Sequence, residues 1–368
     1  MSFQYKSGSL YCEDVEIRKI AEDIKTPFYL YSFNTIVKNY KAYETAFSKK
    51  KDTLICYAYK ANSNLCILEI LKSQGAGAEV ISGGELFKAL YIKTLPEKIV
   101  FNGNGKSKSD ITYGLAAGIL LFNVDSKEEF LFLQYLCSIE NRRANIGVRI
   151  NPEVKIDTHQ HVATGRKGSK FGVDTSSALE IYKLAKNSKY LKPISIHTHI
   201  GSQITEITPY LEAIEQLKQL YKDLKDEGIE IKYLNIGGGL GIKYNKEKVP
   251  TIEEFADFVI NTIPKEVNLI IEPGRSIIGN AGILVSKVLY IKKVKDRVII
   301  VIDAGMNDFI RFALYEGYHR IFPLIEEEKG EFVIADVVGP VCEEADCFAR
   351  RRKLRLPKAG DYLAIMDT

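Results

Sequence analysis

Residues 54–81 read LICYAYKANSNLCILEILKSQGAGAEVI. A short apolar run (54–59) ends at a lysine and an Asn-Ser-Asn turn, residues 65–73 then carry Leu and Ile at helical spacing, and a Gly-rich turn leads into a second apolar run at 78–81. The pattern is strand, turn, helix, strand, the unit from which parallel sheets are built. Working outward, the same plan recurs, with candidate strands at 54–59, 78–81, 98–101, 119–124, 145–150, 194–200, 232–236 and 268–271. Helical stretches at 65–73, 84–91, 127–138, 177–188, 210–226 and 252–262 alternate with them. Eight such units predict an α/β fold of the closed (β/α)8, or TIM, barrel type. From about residue 281 the pattern changes to short β-rich runs (ILVSKVLYI, RVIIVID, EFVIADVV, DYLAIM), which predicts a separate C-terminal all-β domain.

The chain has 368 residues, room for about two domains of roughly 150 each, or one large barrel with an addition. At 46% hydrophobic and 27% charged it has the composition of a folded globular protein. A net charge of +4 gives no electrostatic reason to expect nucleic acid or a membrane as partner. Six cysteines form no CxxC pair and several sit in apolar runs, so they read as free thiols of a reducing compartment. The N-terminus lacks the apolar core of a signal peptide and no run approaches the ~20 residues that span a bilayer, so the expectation is a soluble, cytoplasmic protein.

In a barrel of this kind chemistry sits at the C-terminal ends of the strands. Lys60 follows the first strand, and a lysine held at a barrel mouth can form a Schiff base, although a solvated strand-end charge is the simpler reading. Gly237-Gly238-Gly239 after the seventh strand and Pro273-Gly274 after the eighth leave backbone N–H groups free to close on an anion. The stretch NGNGKS at 102–107 is no P-loop, because the required first glycine falls at Val100; it reads as a turn. His197 and His199, two apart on one strand, could share a metal, but the further ligands expected at other strand ends are not supplied, and His159 and His161 fall in a loop after the fifth strand. An imidazole covering a flat ring suits the pattern better. Glu272 beside Arg275 is a surface ion pair by default, and a partner for a pyridine nitrogen if it faces one.

Taken together, YAYKANSN (57–64), SGGEL (82–86), HTHIGSQ (197–203), NIGGGLG (235–241), EPGR (272–275), DAGMNDFIRFALYEGYH (303–319) and GPVCEEAD (339–346) closely resemble the diaminopimelate decarboxylases, pyridoxal-phosphate enzymes with an alanine-racemase-like barrel. The resemblance runs in order along essentially the whole chain. It implies pyridoxal 5'-phosphate held as a Schiff base on Lys60, His199 stacked on its ring, Glu272 at the pyridine nitrogen, and Ser202, Gly239, Pro273, Gly274 and Arg275 around the phosphate. It implies a PLP-binding barrel at 35–280 and a β domain made of 1–34 together with 281–368. The implied reaction is decarboxylation of meso-2,6-diaminopimelate to L-lysine and CO2, the last step of lysine biosynthesis. Cys342 is then the proton donor, reaching the site from the partner subunit of a homodimer with shared active sites. Arg275 and Arg311 bind the distal carboxylate, Tyr315 adds a hydroxyl, and Glu343 accepts the distal ammonium, a set whose charges match an amino-acid head rather than a bare amine.

Two departures are expected to matter. Phe312 stands where the family usually has proline beside Arg311, and the chain ends at Thr368 where relatives continue with Gly-Ala-Tyr and a further β segment, implying a shortened β domain. The competing expectations are a PLP-binding relative with impaired turnover, a decarboxylase of another basic amino acid such as ornithine or arginine, and a metal-dependent barrel hydrolase using His197 and His199.

Overall fold

The structure, a computed structural model, describes residues 2–154, 165, 168–295, 297–326 and 330–368. His159 and His161 lie outside the described residues. Two compact units are present, one comprising the N-terminus to Ile36, Lys243–Glu247 and Ile278–Thr368, the other Val37–Ile242 and Lys248–Ile277.

The second unit is a closed parallel barrel of eight strands, in chain order Thr53–Ala58, Gly77–Val80, Ile99–Phe101, Leu121–Val124, Ala144–Ile150, Leu191–Thr198, Tyr233–Asn235 and Asn268–Ile271. The eighth closes on the first with Leu269 opposite Thr53 and Ile271 opposite Ile55. Four-residue strands such as GAEV and LFNV are buried at every position, as expected where helices cover one face and the barrel interior the other. The sixth strand starts three residues before the predicted 194, because Pro193, which argues against a strand, sits at a register shift against the fifth strand where its missing N–H is not needed.

Several of the helices follow because the segment after the strand supplies a capping side chain. Asn64 accepts from the Cys66 N–H ahead of Leu65–Ser73, and Ser82 from the Glu85 N–H ahead of Gly83–Tyr91. Reciprocal capping boxes, Ser107 with Asp110 and Thr251 with Glu254, start Lys108–Ala117 and Ile252–Thr262. The helix Lys108–Ala117 is absent from the sequence reading because KSDITYGLAA has no clear apolar stripe. Its Gly114 packs where a Cβ would come 2.6 Å from the Phe122 ring, so the glycine reflects close packing rather than a break. The rejected P-loop thus ends in a helix cap, and its Lys106 is buried, bonded to the Asn123 carbonyl and to Glu129 at 2.7 Å each.

Inside the barrel Cys56, Val100, Leu121, Ile194 and Ile270 pack together as an apolar layer. Fully burying a side chain of this size contributes roughly 2 kcal/mol.

The other unit is a mainly antiparallel sheet in the order Ile321–Pro323, Tyr362–Met366, Gly282–Val294, Arg297–Ile302, Phe332–Val338, Cys347–Arg355. The N-terminal strand Phe28–Tyr31 joins it, with Tyr31 opposite Gly282 and Phe28 opposite Val285. The β domain therefore takes in the N-terminal segment. The unit also holds two helices that its β-rich pattern hides, Ile17–Ile24 and the one-turn Arg311–Tyr315.

Candidate active site

One pleat beyond the apolar layer the barrel interior changes chemistry. Two positions after Val100 comes Asn102, after Leu121 Asn123, after Ile270 Glu272, after Gly77 Glu79, after Gly147 Arg149, after Ser195 His197 and after Tyr233 Asn235. Because side chains two apart on a strand share a face, these seven polar groups form a ring above the apolar ones, and all are buried. Glu79, Asn102, Arg149, His197 and Glu272 form part of the wall of a cavity of about 550 Å³ lined also by Lys60, His199 and Ser202, while Asn123 and Asn235 bond to Asn102 and Glu272. A second depression of about 690 Å³ opens at the other end of the barrel among Lys192, Lys225 and Lys232, but none of its polar side chains is buried.

Lys60 does not extend the first strand. It sits in a 3-10 turn, Tyr59–Ala61, just beyond it, and its Nζ lies 2.8 Å from both oxygens of Glu79. The Glu79 side chain is fully buried and that of Lys60 is 42% exposed, so the carboxylate is fixed and the amine stays accessible. Asn102 Nδ2 donates to Glu79 at 3.0 Å and to Glu272 at 2.9 Å, while its Oδ1 accepts from Asn123 at 2.7 Å. Asn235 donates to the other oxygen of Glu272 at 2.6 Å.

Glu272 is therefore no surface ion pair with Arg275. Its partners converge from the third, sixth and seventh strands. Burial pushes its pKa up, but His197, Lys60 and Asn235 outweigh that and hold the carboxyl well below its usual range. His197 Nε2 stands 3.6 Å from Glu272, too long for a hydrogen bond, and among the described residues neither of its ring nitrogens has a hydrogen-bond partner. Arg275 instead donates to Ser202 Oγ at 3.2 Å.

His199 lies just past the sixth strand, where its Nδ1 accepts the Gly238 N–H at 3.2 Å. That bond leaves the proton on Nε2. Burial first, then the charges of Lys60 and Arg149, depress the His199 pKa well below its ordinary value, so the ring is neutral. The glycine run exists to let this loop pass. Gly237 and Gly239 have φ of +68° and +103°, and a Cβ at Gly237 would stand 2.7 Å from His199 Nδ1. Arg149, stacked on Phe171 at 4.5 Å, bonds the His199 carbonyl at 3.3 Å.

In the β unit, Cys342 and Glu343 are exposed on the loop between Phe332–Val338 and Cys347–Arg355. Asp346 preorganises that loop, accepting from the N–H groups of Val341 and Met306 at 2.7 Å each. Arg311 and Tyr315 open and close the one-turn helix, both half-buried.

The structure thus gathers Lys60, His199, Ser202 and Glu272 around one cavity, with Gly239, Pro273 and Gly274 on the loops at the same strand ends and Arg275 opening the short helix Arg275–Ile278, and carries Arg311, Tyr315, Cys342 and Glu343 on the other unit. Sequence reasoning missed Glu79, Asn102, Arg149 and Asn235. The available signal was a single polar residue near the C-terminal end of otherwise apolar strands: GAEV, GVRI and YLN, and the Asn that follows IVF. Among the described residues no group of three or more His, Cys, Asp or Glu side chains could hold a metal ion. A planar, anionic, hydrogen-bonding aldehyde fits the cavity: an accessible amine, a neutral imidazole, a buried carboxylate and an orphaned histidine all face it.

Residues 33–279 match the family model described as the pyridoxal-dependent decarboxylase, pyridoxal binding domain. Over 366 residues the chain is 43% identical to the diaminopimelate decarboxylase of Aquifex aeolicus, covering 99% of this chain and 86% of that one. Among solved structures, diaminopimelate decarboxylase from Helicobacter pylori complexed with L-lysine superposes with a TM-score of 0.92 at 38% identity, covering 96% of this chain and 88% of that one. The enzyme from Methanocaldococcus jannaschii in co-complex with L-lysine gives 0.93 at 39% identity, covering 100% and 87%.

Proposed function

The chain belongs to the pyridoxal-dependent decarboxylases, within them to the diaminopimelate decarboxylases, and from that premise we propose that it converts meso-2,6-diaminopimelate to L-lysine and CO2 with pyridoxal 5'-phosphate. The observation that carries this reading is the meeting of Lys60, His199 and Glu272 at one cavity in a chain 43% identical, over 99% of its length, to such an enzyme.

The functional units on this reading are the cofactor-binding barrel at 35–280 and the β domain of 1–34 with 281–368. Bound pyridoxal phosphate supplies an electron sink for the pair released when the Cα–carboxylate bond breaks. Lys60 is the covalent attachment point. Glu79, bonded to its Nζ through both oxygens, holds the amine in place and stands ready to take a proton from it. Glu272, kept ionised by its neighbours, holds a proton on the ring nitrogen. His199, locked as the neutral Nε2–H tautomer, covers the ring without adding a positive charge beside it. Ser202, Gly239, Pro273, Gly274 and Arg275 hold the phosphate.

Cys342 returns a proton to the α-carbon from a second copy of the chain, so that one site takes residues from two subunits of a homodimer. Arg275, Arg311, Tyr315 and Glu343 bind the distal amino-acid head, with planar guanidinium groups on its carboxylate. No described helix is long and apolar enough to cross a membrane, and a cytoplasmic enzyme is the reading adopted.

The test is turnover of the 368-residue chain with added pyridoxal phosphate and meso-diaminopimelate, following CO2 and lysine, with ornithine and arginine in parallel. Lysine formation alone supports the reading; turnover of ornithine or arginine instead overturns the substrate. Mixing Lys60→Ala with Cys342→Ala protein restores activity if subunits share sites, and no restoration in demonstrated heterodimers refutes the sharing.

A further inference from the structure

The guanidinium of Arg311 sits in a built cradle. His319, eight residues on, is 1% exposed and faces Arg311 with Nε2 at 2.7 Å from Nη1. Its other nitrogen, Nδ1, stands 2.7 Å from the carbonyl oxygen of Met366. A carbonyl only accepts, so Nδ1 carries the proton, and Nε2 is left as the acceptor that a guanidinium, which only donates, requires. The tautomer is fixed at both ends by the bonds themselves. The imidazole is clamped edge-on by Phe309 and Tyr244, with ring centroids at 4.7 and 5.2 Å. The Arg311 guanidinium also lies over the Tyr244 ring, 3.8 Å from its centroid.

Gly317 completes the cradle. A Cβ there would come 2.5 Å from Arg311 Nη1 and 2.8 Å from Cζ, so any other residue pushes the guanidinium aside. One arginine on a one-turn helix has no packing need for this. The end of its side chain is held by an acceptor whose second bond reaches another strand.

We propose that His319 is a positioning residue that aims Arg311 at the distal carboxylate of the substrate, with Gly317 clearing the space in which the guanidinium lies. The inference rests on the reading of Arg311 given above. It also explains how Arg311 keeps its aim beside Phe312: the tip of the side chain, rather than the backbone before it, is what is fixed.

The experiment uses holoenzyme and compares equilibrium binding of L-lysine, which keeps the distal carboxylate, with that of pentane-1,5-diamine, the same skeleton without it, both read by the cofactor absorbance. His319→Leu is expected to weaken L-lysine about tenfold, the worth of one charge-assisted hydrogen bond, and leave the diamine within about twofold. His319→Gln, whose amide oxygen can take the place of Nε2, should recover L-lysine binding to within about threefold. Gly317→Ala, which displaces a flexible tip and not the backbone, should weaken L-lysine alone and carries the test if the His319→Leu protein fails to fold. With diaminopimelate, KM rises in these variants and kcat stays within about twofold. Equal weakening of both ligands, or of neither, in His319→Leu and Gly317→Ala overturns the proposal. Arg311→Leu separates the two levels: if it does not discriminate L-lysine from the diamine, the reading of Arg311 fails. If it does while the other two variants do not, the role of His319 fails alone.

Discussion

The two layers of the barrel interior answer opposite demands, although on three strands they stand only two residues apart, Val100 before Asn102, Leu121 before Asn123 and Ile270 before Glu272. The inner layer, Cys56, Val100, Leu121, Ile194 and Ile270, is dry and closes the barrel by burial alone. The outer layer puts two carboxylates, Glu79 and Glu272, among Lys60, Arg149 and three asparagine amides, and closes nothing, since a cavity of about 550 Å³ stands over it. A wholly apolar interior would be as good a core. The expense of burying those charges is met hydrogen bond by hydrogen bond, with Asn102 serving both carboxylates at once. The strand is thus rigid scaffold at one residue and reactive surface at the next on the same face.

That contrast can be broken at graded cost. Lys60→Ala should remove cofactor that borohydride can fix to the protein and bring turnover to background, while thermal unfolding stays near that of the parent apoprotein; retained turnover would sink the assignment. Glu272→Gln keeps the shape and hydrogen-bonding reach of the group but not its charge, so cofactor should still attach while kcat falls about 10²–10³-fold, measured under saturating pyridoxal phosphate. Leu121→Ala, in the dry layer, should do the reverse, costing about 3 kcal/mol in urea unfolding with cofactor affinity unchanged within a few-fold. If it weakens cofactor binding as strongly as Glu272→Gln slows turnover, the two layers are not separable.

The smallest effect concerns pH. His199 is kept neutral in the fold, with its pKa well below the ordinary value, so below about pH 6.5 the unfolded chain takes up a proton that the folded chain does not. Its share of stability is intact above that pH and is lost as pH falls toward the depressed folded value, at about 1.4 kcal/mol per unit. Denaturant midpoints of apoprotein at pH 7.5 and 5.5 should differ less in His199→Gln than in the parent; an identical difference would mean that His199 titrates freely.

The barrel was legible because its signal is cumulative. Each strand of three to eight residues is ambiguous alone, but eight of them alternating with helices are not. Lys60, His199 and Glu272 were legible because polar residues just past a strand are conspicuous. Glu79, Asn102, Arg149 and Asn235 were not, since one polar residue inside or against a buried strand resembles a satisfied core group until the strands are arranged and their partners appear. His319 was hidden for another reason. It stands inside a recognised motif, yet its partner Met366 lies 47 residues away, and no local pattern encodes that pairing.

The pairing of Phe28–Tyr31 with the strand that begins at Gly282 also sets an order of events on the ribosome. About 250 residues separate the two, so at roughly 5–20 residues per second the N-terminal strand waits some 10–50 s for its partner to be made. All eight barrel strands are synthesised in that interval. The strands that carry the cavity are therefore all made while Phe28–Tyr31 still lacks the strand it pairs with, and for that time the backbone groups of Phe28, Tyr29, Leu30 and Tyr31 that later face it have no ladder to join.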